Sequence, residues 1–489
     1  MNIKTRLAGL LLIAFGFLAE LQAQSNNEAI PEALEERIAL VENSLSPLVA
    51  EAGGPLWNIE ERMKTHNLPG LSLAVIHNFK IDWAKAYGKT NNESGQEVTT
   101  ETVFQAASIS KFVNGVTWLK WRESSGIDLD VDINTLLSSW QLEYTKGLPV
   151  TVRQLLSHTA GLSTHGFGGY KSSDNLPTLI EILNSEGPAN SQRVRTIMAP
   201  GEAFKYSGGG TTISQLILTE NSETPYEELV QQLVLDPLKM DHSFYSISLE
   251  RYTPDMAYGH NQKARPLRSK YHYYPESAAA GLWTTPSDLA NLIIDVQTSL
   301  KGLGAKVLSG ESSAELVQPT LEDAFSALGV FIEENPGEAY AQHSGSNEGF
   351  RGKFYFGTLS GNGVVVMVNG PNTEIIEEII RSVAAVYQWP GMEPLAANTD
   401  LNLSSEDLKK YTGTFSFKGR EIIVSMKKGK LKVAEKGKWS SSLTPLDRAK
   451  FVFDGVRPQA TIEFISNETE AITSCILEQG EESEWIKLE

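Results

Sequence analysis

The 489-residue chain has one cysteine, Cys475, so it folds without an internal disulfide, and that thiol is expected as a small hydrophobe in a core. It also lacks a long apolar run: the N-terminal one, Leu7 to Leu18, is shorter than the ~20 residues that cross a bilayer. Positive charge is scarce, with 42 lysines and arginines against 60 aspartates and glutamates and a net charge of −18. Such a surface disfavours nucleic acid and anionic membranes, which are held through Lys and Arg. The eight histidines include no HExxH pair, and His158 and His165 stand seven apart. A zinc hydrolase is therefore disfavoured, and no metal or cofactor is expected. The absence of a G-x-S-x-G elbow argues against an α/β-hydrolase. The chain shows neither an internal repeat nor a low-complexity segment.

What is present begins with an export signal. Lys4 and Arg6 precede the apolar run and Leu21-Gln22-Ala23 follows it. Residues 1–23 read as a signal peptide with cleavage expected after Ala23, giving a periplasmic or secreted protein with no stable membrane insertion. Loss of Lys4, Arg6 and Glu20 moves the net charge from −18 to −19. The length exceeds one ordinary domain, and 41% hydrophobic with 21% charged residues is a globular balance.

Helical spacing runs from Ile30 to Ala50 and recurs around Ile59 and Met63, until Pro69-Gly70 breaks it. Leu71–Ile76 and Trp83–Tyr87 read as a hairpin around His77-Asn78. A helix-rich region follows to about Ser299. Strand signals return at Leu328–Ile332, Tyr340–His343, Gly352–Phe356 and Val364–Val368, the last pair joined by the turn Ser360-Gly361-Asn362-Gly363. Ile375–Tyr387 reads as an amphipathic helix. Strands at both ends with helices between predict an α+β domain over residues 24–390, its one sheet built from distant segments beside a helical insert. A linker over 391–401 follows Trp389-Pro390. Period-two alternation then marks Tyr411–Phe417, Glu421–Met426, Lys430–Ala434, Phe451–Phe453, Thr461–Phe464 and Thr473–Leu477, predicting a small all-β barrel or sandwich over 402–489.

The chemistry centres on Ser108-Ile109-Ser110-Lys111. Three residues apart at the start of a helix, a hydroxyl and an amine share one face, where a buried lysine can serve a serine nucleophile. The same spacing recurs at Ser425-Met426-Lys427-Lys428 in a strand-like stretch, which offers no helix to bring the groups together. Three further places look equipped: Tyr206-Ser207-Gly208-Gly209-Gly210 before a helix, His343-Ser344-Gly345-Ser346 at a strand end, and the run Leu155 to Leu162. A tyrosine on a glycine-rich loop suits proton transfer, and a strand edge with glycine lets substrate approach an amide donor. Singly, each also fits an ordinary structural role.

In order, these stretches resemble the serine β-lactamase and penicillin-binding-protein superfamily, in particular its class C-like branch of esterases and D-amino-acid peptidases. The resemblance covers about residues 50 to 390 and includes Pro200-Gly201, Asp236-Pro237-Leu238-Lys239-Met240 and Gly281-Leu282-Trp283-Thr284-Thr285-Pro286-Ser287-Asp288-Leu289. It implies an α/β/α sandwich with an antiparallel sheet. It also implies Ser108 as the nucleophile of an acyl-enzyme, Lys111 beside it and Tyr206 as the group that moves the proton. The backbone N–H groups of Ser108 and Ser346 would form the oxyanion hole, with Gly208, His343 and Gly345 beside the substrate. Either Lys111 is a neutral base, or it stays charged and favours the Tyr206 phenolate. Gly208 stands where lactamases carry asparagine, and His343 where penicillin-recognising members carry lysine. Both departures favour a small ester or amide, including a D-amino-acid peptide, over penicillin. A class C-like β-lactamase or DD-peptidase and a non-catalytic binding or sensor module are the alternatives. The C-terminal part resembles the lipocalin-like β-modules that follow some family members.

Overall fold

A strand whose residues are all apolar has to be covered on both faces, and Gly363–Val368 is one. The computed structural model describes residues 32–489 except 52–53, 145–146, 172–173, 246–254, 322–324, 393–394, 398–400, 402, 436–438, 455–459, 480 and 489. The stretch read as a signal peptide lies outside the described residues. Six strands form one sheet: β1 (Gly70–His77), β2 (Lys80–Gly88), β3 (Phe331–Asn335), β4 (Glu338–Asn347), β5 (Phe350–Gly357) and β6 (Gly363–Val368). Their order is β2-β1-β6-β5-β4-β3 and every neighbouring pair is antiparallel. The two ends of the domain meet where β6 pairs with β1, Val364 opposite Val75 and Val366 opposite Leu73.

Alternation sorts the side chains into two cores. Leu71, Leu73, Val75, Val364, Val366 and Val368 enter one, while Ala74, Ile76, Val365, Met367, Phe354 and Phe356 enter the other. Six helices matter for the site: α1 (Leu34–Asn43), α2 (Ile59–Thr65), α3 (Ser110–Ser125), α4 (Gly208–Ser222), α5 (Pro286–Leu300) and α6 (Glu374–Val386). α1, α2 and α6 cover the first face, α6 with a stripe of Ile375, Ile376, Ile379, Ile380 and Val383. α3 and α5 cover the second, through Phe112, Val116, Leu289, Leu292 and Val296 among others. The domain is the three-layer sandwich that the sequence implied.

Several boundaries differ from the sequence reading: the helical spacing read as far as Ala50 ends at Asn43, and Val49–Glu51 is a strand. The β1–β2 turn centres on Asn78 and Phe79, both left-handed at φ 52° and 61°, as a two-residue hairpin loop between His77 and Lys80 requires. Leu328–Val330 are not strand. Gly329 turns at φ 89° over the start of α3, where a Cβ would overlap the Lys111 carbonyl oxygen, so β3 begins at Phe331.

Past the sandwich, Leu395–Ala397 in the expected linker pairs in parallel with Val49–Glu51. A closed barrel of eight strands follows: β7 (Gly413–Phe417), β8 (Arg420–Lys427), β9 (Lys430–Glu435), β10 (Trp439–Pro445), β11 (Lys450–Phe453), β12 (Thr461–Ser466), β13 (Ile472–Gln479) and β14 (Glu481–Lys487). Pairing of Ser416 with Ile486 closes it. Inward side chains, among them Phe415, Ile422, Val433, Phe451, Phe464 and Trp485, fill the lumen as a third core. Cys475 is buried there. Among the described residues, no helix is long and apolar enough to cross a membrane.

Candidate active site

The turn that carries Ser108 is built by strain and clamps. Phe104–Gln105 pairs with Leu282–Thr284, and the chain then bends at Ala107, a non-glycine residue at φ 51°. Such a conformation costs about 1–2 kcal/mol, and the surroundings hold it. Ser110 Oγ donates to Ala107 O at 2.6 Å and accepts the Leu282 N–H at 3.0 Å, while Ala106 N–H reaches Leu282 O at 2.9 Å. Ala107–Ile109 form a 3₁₀ turn and α3 starts only at Ser110. The helix thus starts two residues later than the sequence suggests, yet Ser108 and Lys111 still meet. Lys111 Nζ donates to Ser108 Oγ at 3.1 Å and to Ala279 O at 2.7 Å. That carbonyl belongs to a π-helical turn, Ser277–Gly281, a rare geometry that is frequent at functional sites.

Tyr206 reaches the same place from the loop ahead of α4. Ser207 caps the helix, accepting the Gly210 N–H at 3.0 Å and donating to Ser163 O at 2.5 Å. The three glycines let α4 begin against its neighbours: a Cβ at Gly209 would lie 2.6 Å from Val194, and one at Gly208 3.0 Å from Phe167. The Tyr206 ring centre lies 5.1 Å from Lys111 Nζ. Among the described residues, its hydroxyl makes no hydrogen bond.

β4 supplies the third wall. β3 pairs only with Glu338–Gln342, which leaves the outer edge of His343–Asn347 without a strand partner among the described residues. Gly345 lets this edge close on the Ser108 turn, since a Cβ there would overlap Ala106 O. Asn347 Nδ2 donates to Gln105 Oε1 at 2.9 Å and to Ala280 O at 3.1 Å. His343 is buried, and its Nδ1 donates to Ser344 O at 2.6 Å. Burial and the nearby Lys111 amine push its pKa down to about 3, so the ring is neutral.

A cavity of about 360 Å³ joins these groups, with Ser108, Lys111, Tyr206, His343 and Ser346 in its lining. Its other walls include His165, Phe167 and Phe331. Phe331 stacks on His343 with ring centres 4.8 Å apart. His165 is also held below its ordinary pKa by burial, Lys111 and Lys205. Among the described residues, Lys111 is the only Lys, Arg, Asp or Glu side chain in the lining.

Two expected substrate neighbours stand elsewhere. Neither Gly208 nor Gly345 lines the cavity. Gly208 is buried in the first turn of α4, its N–H on His165 O at 3.1 Å, and Gly345 works by its missing side chain. The second Ser-x-x-Lys match has no site. Ser425 is exposed on β8 and Lys428 sits in the turn after it. Sequence reasoning assigned no role to His165, Phe167 and Phe331; the only signal for the first two was aromatic side chains on the glycine-rich loop Thr164–Gly169.

A family model described as Beta-lactamase matches residues 58–387. Among curated proteins, the chain is 23% identical over 342 residues to Protein flp of Staphylococcus aureus (strain MRSA252), covering 66% of this chain and 64% of that protein. It is 25% identical over 250 residues to the Teichoic acid D-alanine hydrolase of the same organism, covering 50% of this chain and 58% of the relative. The chain thus spans a little under two thirds of the length of these relatives. Among solved structures, the octameric penicillin-binding protein homologue from Pyrococcus abyssi superposes with a TM-score of 0.61 at 22% identity, over 88% of this chain and 98% of that one. SurE, solved with D-Leu, superposes with a TM-score of 0.56 at 19% identity, over 93% of this chain and all of that one (100%). These two likenesses concern the fold.

Proposed function

Since the chain belongs to the Beta-lactamase family, whose fold carries serine hydrolases, we propose that it is an exported serine hydrolase cleaving a small ester or amide through an acyl-enzyme on Ser108. One observation carries this reading: the Lys111 amine stands 3.1 Å from Ser108 Oγ, in a cavity bordered by the free edge of β4. The cavity volume suits a small molecule or the end of a peptide.

In the proposed reaction, Ser108 Oγ attacks the substrate carbonyl carbon and its proton passes to Tyr206. Lys111 gives N–H bonds to both Ser108 Oγ and Ala279 O, which holds its amine beside the serine as the proton leaves. The carbonyl oxygen, now negative, is held by the backbone N–H groups of Ser108 and Ser346. Tyr206 then returns the proton to the leaving alcohol or amine as the C–O or C–N bond breaks. Water repeats the sequence on the acyl-enzyme and frees Ser108.

The lining speaks against a substrate with a free carboxylate next to the scissile bond. His343 is neutral where a permanent cation would grip such a group. A penicillin or a peptide with a free C-terminal carboxylate therefore ranks below an ester or amide. The name of the Teichoic acid D-alanine hydrolase relative adds D-amino-acyl esters to the candidates.

The test is a panel of p-nitrophenyl esters, D-amino-acid amides and esters, and a chromogenic cephalosporin, run beside intact-mass detection of a fluorophosphonate adduct. Wild type is expected to gain one adduct that Ser108→Ala lacks, and to turn over esters or amides faster than the cephalosporin. Tyr206→Phe is expected to lose about 10²–10⁴ in turnover, the usual contribution of a positioned proton-transfer group. Failure of every acylating probe would leave a binding module instead.

A further inference from the structure

With no hydrogen bond to its hydroxyl among the described residues, Tyr206 owes its position to its loop and to the rings around it. His158 is bound to that loop at three points. Its carbonyl accepts the Lys205 N–H at 2.7 Å, its Nδ1 accepts the Ser207 N–H at 3.3 Å, and its ring packs on Tyr206 with centres 4.3 Å apart. The residues on both sides of Tyr206 are thus tied to a single side chain and its own carbonyl.

The backbone of His158 is left-handed at φ 58°, a conformation with a cost for a non-glycine residue. Its neighbours hold it there. Thr159 and Ala160 both give their N–H groups to Gln154 O, and Ser326 Oγ donates to Ser157 O at 2.6 Å. Gly201 N–H donates to Thr159 O at 2.8 Å, joining this run to the start of the loop that leads to Tyr206.

The ring must stay neutral to work, because a protonated Nδ1 would face the Ser207 N–H donor to donor. Burial is complete enough to keep it so, and positive charge on the nearby Lys111, His343 or His165 would oppose a further one, so its pKa lies well below the ordinary value. Nδ1 then accepts, and the ring proton sits on Nε2.

We propose that His158 is a positioning residue that fixes the Tyr206 phenol for proton transfer at Ser108, acting through the peptide groups flanking Tyr206 and through the stacked ring. The inference rests on the serine hydrolase reading above. A reacting group displaced by about 1 Å commonly costs about 10² in rate.

The test is a double-mutant cycle on the full chain, read by ester turnover and by the rate of fluorophosphonate adduct formation at Ser108. His158→Ala is expected to lower kcat about 10²-fold with little change in KM, while His158→Asn, which keeps an acceptor near Nδ1 and tolerates positive φ, recovers a large part. In a Tyr206→Phe background, where no phenol is left to position, His158→Ala is expected to cost no more than about twofold. Should His158→Ala fail to fold, His158→Phe, which keeps a ring without the acceptor, takes its place in the same cycle. An unchanged kcat in the single variant, or an equal loss with and without the phenol, would overturn the inference alone. Absence of labelling and turnover in wild type would overturn the hydrolase reading and this inference with it.

Discussion

Three imidazoles stand around Tyr206, with ring centres at 4.3 Å for His158, 4.8 Å for His165 and 6.2 Å for His343. All three are held below the ordinary histidine value, first by burial and then by Lys111. The folded protein therefore refuses protons that the unfolded chain accepts, and the stability these rings leave intact above pH 6.5 is lost as pH falls. For His343 the window runs from the unfolded value of about 6.5 down to about 3. In chemical denaturation, His343→Asn is expected to remove a slope of about 1.4 kcal/mol per pH unit below pH 6. A slope identical to that of wild type would show that His343 titrates freely. Glu276 has the opposite sign. Among the described residues neither oxygen of its buried carboxyl has a hydrogen-bond partner, and burial raises its pKa to about 7. Its neutral form suits the fold, so that stability is present in full below about 4.5 and lost as pH rises through 7. Glu276→Gln is expected to gain on wild type by on the order of 3 kcal/mol at pH 8 relative to pH 5; parallel pH curves would rule this out. The residue types were legible in the sequence, but these charge states were not, because they depend on burial among segments distant in the chain.

At the scale of elements, the site is a junction of a strained turn, a helix start and a strand edge. Gly345 decides how close they come, since any Cβ there would overlap the Ala106 carbonyl. Gly345→Ala is expected to move β4 off the Ser108 turn and lower turnover about 10²-fold. Fluorophosphonate labelling should slow in step, and wild-type labelling would show that the edge plays no part. Strand signals in the sequence located every strand of the sheet, with β3 displaced from Leu328 because Gly329 is needed to turn over α3. Alternation found six barrel strands and passed over β10 and β14. In β10 the inward Ser441 and Leu443 stand in a serine-rich run, and in β14 the inward Trp485 follows a run of glutamates. Polar residues on both faces hide the pattern that marks a half-buried strand.

For the whole molecule, the barrel has its own core, with no residue shared with the two cores of the sandwich. Calorimetry is expected to show two unfolding transitions, and truncation after Leu401 to remove one of them while Ser108 remains labelled. A single transition, or loss of labelling on truncation, would make the barrel part of the catalytic unit. The sequence by itself determined the alternation that builds sheet and barrel, the turns that connect their strands, and the pairing of Ser108 with Lys111. Each depends on residues a few positions apart, and local geometry suffices. Only the tertiary structure decided which of two Ser-x-x-Lys stretches gains a tyrosine and a strand edge, that His343 is neutral, and that His158 grips the loop of Tyr206. Those outcomes come from burial and from contacts between segments that only folding brings together, and local spacing carries no record of them.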